Sequence, residues 1–186
     1  MQTLGLSDAT PRTESRWRAL FWPTIRNAVD YDYVTRQGLW ICLLVGVVDL
    51  LFGLLAGNAF VATIEGLFFV FAGVGVRERS RVAAVAAFAA YFTGSLVLQR
   101  YTGNGFSIVR LIFLALLLAN VRGSWVSARW DQECEQPALP PLGETIGDWF
   151  TYKMPRVLWP KVKSLFYVFV GIEMAMLFAL LFARQR

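Results

Sequence analysis

Four ionisable side chains lie within long apolar stretches of this sequence: Asp49, Glu65, Arg110 and Glu173. A charge at the centre of a bilayer costs about 2.5–3.5 kcal/mol on insertion scales, unless the group is paired or protonated. A carboxyl group in such a position can carry a proton, hold an ion or accept a hydrogen bond from a neighbouring helix. These four residues are therefore the candidates for chemistry.

Asp49 is predicted to face another helix rather than lipid. At helical spacing it is flanked by small residues that include Gly46, Gly53 and Gly57, and small residues let two helix backbones approach closely. Gly53-x-x-x-Gly57 is a packing motif of this kind. Hydroxyl groups in the third apolar stretch, including that of Tyr91, are the predicted hydrogen-bond donors to Asp49. A proton-carrying or ion-binding carboxylate is the alternative interpretation.

The other three groups have different predicted environments. Arg110 and Glu65 both lie near the same predicted membrane surface, so we expect either an ion pair between them or an Arg110 side chain that reaches the headgroups alone. Glu173 lies among bulky apolar residues, and apolar surroundings favour the neutral, protonated carboxyl group. Glu173 is therefore predicted either to be protonated or to lie where its helix meets a cavity or a partner subunit.

Several classes of site are excluded by residue type and spacing. The chain contains no histidine, which excludes His-ligated haem, HExxH zinc sites and Ser-His-Asp triads. Cys42 and Cys134 are too far apart in sequence for a metal-binding spacing, and no phosphate-binding or nucleophile motif is present. The alternating acids Asp131, Glu133 and Glu135 fall in a polar loop and are predicted to be solvated. We therefore expect no cofactor and no bound metal.

The composition predicts an integral membrane protein. Apolar residues make up 56% of the 186 residues and charged residues 17%, with a mean hydropathy of +0.50, whereas soluble domains carry about 25% charged residues. Five apolar runs, at 38–57, 59–76, 82–98, 107–121 and 165–183, have about the length of helices that cross a bilayer; the fourth is the weakest. Gly57-Asn58 and Gly103-Asn104-Gly105 predict tight turns. The predicted fold is all-α, a polytopic bundle of five transmembrane helices.

The distribution of basic residues predicts the orientation of the chain. Fourteen Lys and Arg residues fall in 1–37, 77–81 and 122–164, whereas three fall in the turn and tail on the opposite side. Because basic loops stay in the cytoplasm, the N-terminal segment 1–37 and the loop 122–164 are predicted to be cytoplasmic. The C-terminus is then predicted to lie outside the plasma membrane. Since this bias accounts for the net charge of +5, we expect no nucleic-acid partner.

Tryptophan residues cluster in the same segments. Trp17 and Trp22 fall in the aromatic and basic segment 14–34, and Trp149 and Trp159 fall in a second one, 149–163. Indole rings prefer the headgroup level of a bilayer, so both segments are predicted to be amphipathic and to lie in the membrane interface. They are either ordinary anchors or surfaces that recruit anionic lipids or a partner.

Three functions are compatible with these features. The sequence favours a non-enzymatic accessory or scaffold component of the cytoplasmic membrane, because no catalytic set is present and the glycine faces favour close packing. The alternative is a transporter or channel component linked to protons or ions, which would use Asp49, Glu65 and Glu173. The third is a membrane-embedded enzyme in which carboxyl groups perform acid–base chemistry. The expected partners are the lipid bilayer and, as further candidates, other membrane subunits or a second copy of the chain.

Overall fold

The computed structural model describes residues 15, 20–25, 28–103, 105, 107–130 and 146–182. Their helices are α1 (Ala28–Leu55), α2 (Ala59–Arg77), α3 (Arg81–Thr102), α4 (Ile108–Trp130), the single-turn α5 (Ile146–Asp148) and α6 (Met154–Phe182), and a π-helical segment, Trp149–Lys153, leads directly into α6. Within this described part, five helices are long and apolar enough to cross a membrane. The predicted all-α bundle is confirmed. Trp17, Cys134 and the acids Asp131, Glu133 and Glu135 lie outside the described residues.

Glycines in left-handed backbone conformations end two of the helices. Gly57 has a φ of +78° after α1, and the backbone N–H of Asn58 donates to the carbonyl of Gly53 at 2.9 Å. Gly103 follows α3 with a φ of +69°. Glycine enters this conformation without steric cost, so both predicted helix ends are confirmed.

Each spanning helix is longer than the apolar run that predicted it, and three of them are longer by eight residues or more. Helix α1 begins at Ala28 instead of residue 38, α4 continues to Trp130 instead of 121, and α6 begins at Met154 instead of 165. In α1 and α4 the additional turns carry polar side chains, Thr35 and Arg122, that bond to other parts of the bundle, and such tertiary contacts override local sequence preference. Pro160 lies inside α6, which membrane helices tolerate because neighbouring groups satisfy the freed backbone groups.

Helix α2 packs against three of the other spanning helices, α1, α3 and α6. Small residues allow the approach to α1, since a Cβ at Gly66 would lie 3.2 Å from the carbonyl oxygen of Gly46. On the other side, Phe68 of α2 stacks on Phe166 of α6 with ring centroids 5.9 Å apart. Many large apolar side chains on the outer faces of the bundle are exposed, as expected of surfaces that contact lipid. The remaining spanning helix, α4, packs against α1 and α3, so every spanning helix contacts α2 or one of the neighbours of α2.

Candidate functional site

All five spanning helices contribute a polar side chain to one region, here called the carboxyl cluster. Its members are Asp49 of α1, Glu65 of α2, Tyr91 of α3, Arg110 of α4 and Glu173 of α6. The charges of Glu65 and Arg110 act on Asp49, and the charges of Asp49 and Glu65 act on Glu173. Tyr91 is within reach of the charges of Asp49 and Arg110. The four ionisable residues that the sequence singled out thus lie in one region of the bundle.

Glu173 is the most enclosed member of the carboxyl cluster. The residue is 2% exposed, and its Oε2 atom has no hydrogen-bond partner. The same face of α6 carries Phe166 and Leu177, which belong to the hydrophobic core. Burying an ionised carboxylate costs free energy when either of its oxygens lacks a hydrogen-bond partner. Protonation of Glu173 stays a prediction, and these surroundings support it.

Arg110 and Glu65 do not form the expected ion pair. In the part of the chain that the structure describes, no Arg110 nitrogen lies within 4.0 Å of a Glu65 oxygen. Arg110 is the third residue of α4 and Glu65 the seventh of α2. Measured along the helix axis from the first residue of each helix, their positions differ by about 6 Å. The backbone N–H of Arg110 donates to Ser107 Oγ at 3.3 Å. The guanidinium acts on Asp49 through its charge instead.

Tyr91 is positioned by aromatic rings of two other helices. Its ring lies edge-on to Phe69 of α2 at 6.3 Å and to Phe113 of α4 at 6.1 Å. Ser95, another hydroxyl donor of α3, donates to the carbonyl of Tyr91 at 2.7 Å and so is engaged within its own helix. No hydrogen bond joins Asp49 to α3 within the described residues. Helix α3 therefore places the Tyr91 hydroxyl near Asp49 without forming a hydrogen bond to it.

The three glycines assigned to helix packing have two different roles. A Cβ at Gly46 would lie 2.9 Å from the carbonyl oxygen of Gly66, and a Cβ at Gly53 would overlap the Cβ of Ala62. Both glycines therefore allow α1 and α2 to approach closely. A Cβ at Gly57 would meet nothing within 4 Å. The packing role expected of Gly57 is wrong, because this residue lies in the turn, where its left-handed φ is what is needed.

A second polar cluster, here called the Arg77 network, lies at the opposite end of the helices. Arg77 forms an ion pair with Asp32 at 2.6 Å, donates from Nε to the carbonyl of Thr151 at 2.6 Å, and donates from Nη1 to Thr35 Oγ1 at 2.7 Å. Tyr152 donates from its hydroxyl to the second oxygen of Asp32 at 2.6 Å. Its ring centroid lies 4.3 Å from the guanidinium carbon. The network joins α1, α2 and the π-helical segment.

Glu78 borders the Arg77 network in the turn after α2. Burial raises the pKa of its carboxyl group, and the positive charges of Arg156, Arg77 and Arg79 oppose that rise. Because Glu78 lies outside the spanning helices, its carboxyl group can exchange protons with water at the end of the bundle.

The tryptophans predicted as interfacial anchors are not all exposed. Trp22 and Trp149 expose about half of their surface, as an anchor requires. Trp159 is buried, since its ring occupies the space beside Gly75. Its predicted role as an interfacial anchor is wrong, because the ring packs into the hydrophobic core beside Gly75 and Phe166. Trp17 falls outside the described part of the chain.

Comparison with protein-family models, curated proteins and solved structures finds no match. Among the residues that the structure describes, no three His, Cys, Asp or Glu side chains are grouped closely enough to hold a metal ion. The carboxyl cluster is thus a set of groups coupled through charge. The carboxyl cluster and the Arg77 network are the two polar clusters from which a function of this membrane protein can arise.

Proposed function

We propose that this protein is a proton-linked transport or channel component, with the carboxyl cluster as its proton-binding site. The observation that carries the proposal is the carboxyl group of Glu173, which is buried and has an unpaired oxygen. The charges of Asp49 and Glu65, on two other helices, act on it. Buried side-chain groups with a purely structural role are usually hydrogen-bonded. Carboxyl groups within a membrane commonly mark proton or ion pathways.

The charge balance of the carboxyl cluster supports bound protons. It contains three carboxyl groups and one guanidinium group, from Arg110. Full ionisation would leave an excess of negative charge among apolar helices, where charge that is not compensated is costly. Because the charges of Asp49 and Glu65 act on Glu173, the proton occupancies of these groups depend on one another. A change in one member therefore alters proton occupancy at the others.

The members of the carboxyl cluster lie at graded depths. Arg110 is near the start of α4, Asp49 and Glu65 are each six residues from the helix end at the α1–α2 turn, and Glu173 is nine residues from the end of α6. At the rise of an α-helix these positions lie about 3, 9 and 14 Å from the respective helix ends. Such a series suits stepwise proton transfer from the membrane surface toward the middle of the bundle.

The test is to observe proton exchange at Glu173 directly. Infrared difference spectra of the full chain in liposomes, recorded between acid and alkaline pH, should contain a band from a carboxyl group that loses its proton. The substitution Glu173→Gln should remove that band, because it deletes the titrating group while keeping its shape. In the same liposomes, an imposed pH gradient should decay faster with the wild-type chain than with Glu173→Gln.

The matched control is Glu78→Gln, which makes the same chemical change in a turn outside the spans. It should leave the Glu173 band and the decay of the gradient as they are in the wild type. If Glu173→Gln leaves the carboxyl spectrum unchanged, Glu173 exchanges no proton and the proposal is wrong. If the band disappears but the gradient decays at the same rate, Glu173 binds a proton without conducting it, and the channel form of the proposal is refuted.

A non-enzymatic accessory or scaffold role is the second candidate. It is favoured by the close approach of α1 and α2 at Gly46 and Gly53, which gives a rigid helical hairpin suited to supporting other membrane subunits or a second copy of the chain. We also propose that the protein lies in the plasma membrane with its N-terminus in the cytoplasm, on the distribution of basic residues. Anionic lipids at the basic end are a further proposed partner.

A further inference from the structure

Two arginine–tryptophan pairs lie side by side at the end of the bundle that carries the basic residues. The guanidinium carbon of Arg122 lies 4.5 Å from the ring centroid of Trp22, and that of Arg81 lies 5.6 Å from the ring centroid of Trp125. Arg122 and Trp125 are three residues apart on α4, so they share a helix face. The four residues form one patch, here called the Arg–Trp patch.

The two guanidinium groups of the Arg–Trp patch remain available to an anion. Arg122 donates one hydrogen bond, from Nη1 to the carbonyl of Pro23 at 2.9 Å, which fixes the side chain but leaves other N–H groups. In the described segments, neither Arg81 nor Arg122 lies within 4.0 Å of a carboxylate oxygen. About half of each indole ring in the patch is exposed. The patch is thus positively charged, aromatic and open.

The position of the patch indicates where its ligand comes from. Arg81 is the first residue of α3, and Arg122 lies one turn before the end of the apolar part of α4 at Val126. One turn further into the bundle, Val85 of α3 and Leu118 of α4 are both exposed. An anion bound at the arginines would therefore be followed, in the direction of the membrane, by apolar side chains on both helices. A phospholipid fits this order, because its phosphate would contact the arginines and its acyl chains would contact the apolar side chains. A soluble anion would contact only the arginines.

We propose that the Arg–Trp patch binds the headgroup of an anionic phospholipid, with the phosphate held by Arg81 and Arg122. Guanidinium groups bind phosphate oxygens through paired, charge-assisted hydrogen bonds. Indole rings are stable at the headgroup level, where one edge is polar and the ring is apolar. The acyl chain lies along Val85 and Leu118. This site is independent of the carboxyl cluster, which lies at the other end of the helices.

The experiment measures lipid binding to the full chain in detergent. Thermal melting is followed while phosphatidylglycerol, phosphatidylcholine with the same acyl chains, or soluble glycerophosphoglycerol is added. Phosphatidylglycerol should raise the melting temperature at lower concentration than phosphatidylcholine, and the soluble headgroup should have no effect. In the double variant Arg81→Gln/Arg122→Gln, the concentration of phosphatidylglycerol needed should rise at least about tenfold, as expected when two charge-assisted phosphate contacts are lost.

The control variant is Arg156→Gln/Lys161→Gln, which removes the same charge from exposed positions of α6 at the same end of the bundle. It should change the response by a small factor, since these side chains are outside the patch. A second variant, Trp125→Leu, removes one indole without changing the charge and should weaken the response to phosphatidylglycerol alone. Equal loss in both double variants would mean diffuse attraction and would overturn a discrete site. A wild-type response without preference for phosphatidylglycerol, or one reproduced by the soluble headgroup, would overturn the lipid proposal.

Discussion

The Arg77 network and the carboxyl cluster place ionisable groups inside the bundle at opposite ends of the same helices, and the protein stabilises the two sets in different ways. In the Arg77 network, Arg77 and Asp32 are joined by an ion pair, and hydroxyl and carbonyl groups complete their contacts. In the carboxyl cluster, three carboxyl groups and Arg110 interact through charge, and the described residues form no ion pair there. The first arrangement fixes a structure. The second leaves charge that only a bound proton or ion can offset.

The availability of hydrogen-bond partners accounts for much of this difference. Arg77 reaches the carbonyl of Thr151 in the π-helical segment and, at 3.5 Å, that of Asp32 near the start of α1. Regular helix interiors engage nearly all of their backbone N–H and carbonyl groups in their own hydrogen bonds, so they leave no N–H group to donate to a carboxylate. Asp49, Glu65 and Glu173 lie in such interiors, away from helix ends. The comparison indicates that polar groups become structural where the helices end or change type, and stay responsive where the helices are regular.

The largest expected effect is that of Arg77→Gln. It leaves the partly buried carboxylate of Asp32 without its cation. Breaking one partner of a fully buried pair costs about 3–5 kcal/mol in the free energy of unfolding, which sets the upper end of the expected loss. Thermal melting of the full chain in detergent should show a large decrease. The control is Arg156→Gln, which removes the same charge from an exposed position at the start of α6 and should cost less than about 1 kcal/mol.

The same measurement on Glu173→Gln sharpens the contrast between the two clusters. This substitution replaces an ionisable group that has no ion-pair partner in the described structure with a neutral one, so the melting temperature should stay the same or rise. A decrease as large as that of Arg77→Gln would show that both clusters are structural. The distinction between a fixed and a responsive cluster would then be wrong.

An intermediate effect is expected for Gly75→Ala, which tests how rigidly the end near the Arg77 network is packed. The new Cβ would lie 2.5 Å from the ring of Trp159 and 2.6 Å from the Cβ of Ala83, and overpacking of this kind costs about 1–3 kcal/mol. Gly171→Ala is the control, because nothing lies within 4 Å of its Cβ position. Adding Trp159→Phe to Gly75→Ala should restore part of the lost stability. Equal melting temperatures for the two alanine variants would indicate a pliable interface.

The smallest expected effect is the pH dependence contributed by Glu78. Burial raises the pKa of Glu78 in the folded chain, so the folded state keeps this proton to higher pH than the unfolded state does. Its stabilising effect is present at low pH and is lost as the pH rises through the folded value. Glu78→Gln should therefore melt at a higher temperature than the wild type at about pH 7 and show no such gain at about pH 4. A gain at the lower pH only would reverse the sign and refute this assignment.

Hydropathy and turn chemistry predicted the spans, because both depend on neighbouring residues. Gly57 and Gly103 end their helices as their residue type requires. The Arg77 network was missed, since Arg77 falls in a short basic segment between two apolar runs and Asp32 in a segment that reads as interfacial. Only the fold brings Asp32 and Arg77 together, across 45 positions of sequence. Similarly, the aromatic composition around Trp159 predicts an anchor, whereas the contact of its ring with Gly75 depends on the packing of α2 against α6.

The π-helical turn Trp149–Lys153 sets the rotational phase of α6. A π-helix closes its hydrogen bonds over one residue more than an α-helix does, and each residue of an α-helix turns the chain by about 100°. The carbonyl of Thr151, in the π-helical turn, accepts a hydrogen bond from Arg77. Glu173 lies further along the helix that continues from this turn. Loss of a single residue between them would swing Glu173 about 100° around the helix axis, away from Asp49 and Glu65, with almost no change in hydropathy. In α6 the number of residues is thus constrained more tightly than their identity: one apolar residue can replace another, but a change in their count separates the two ends of the protein.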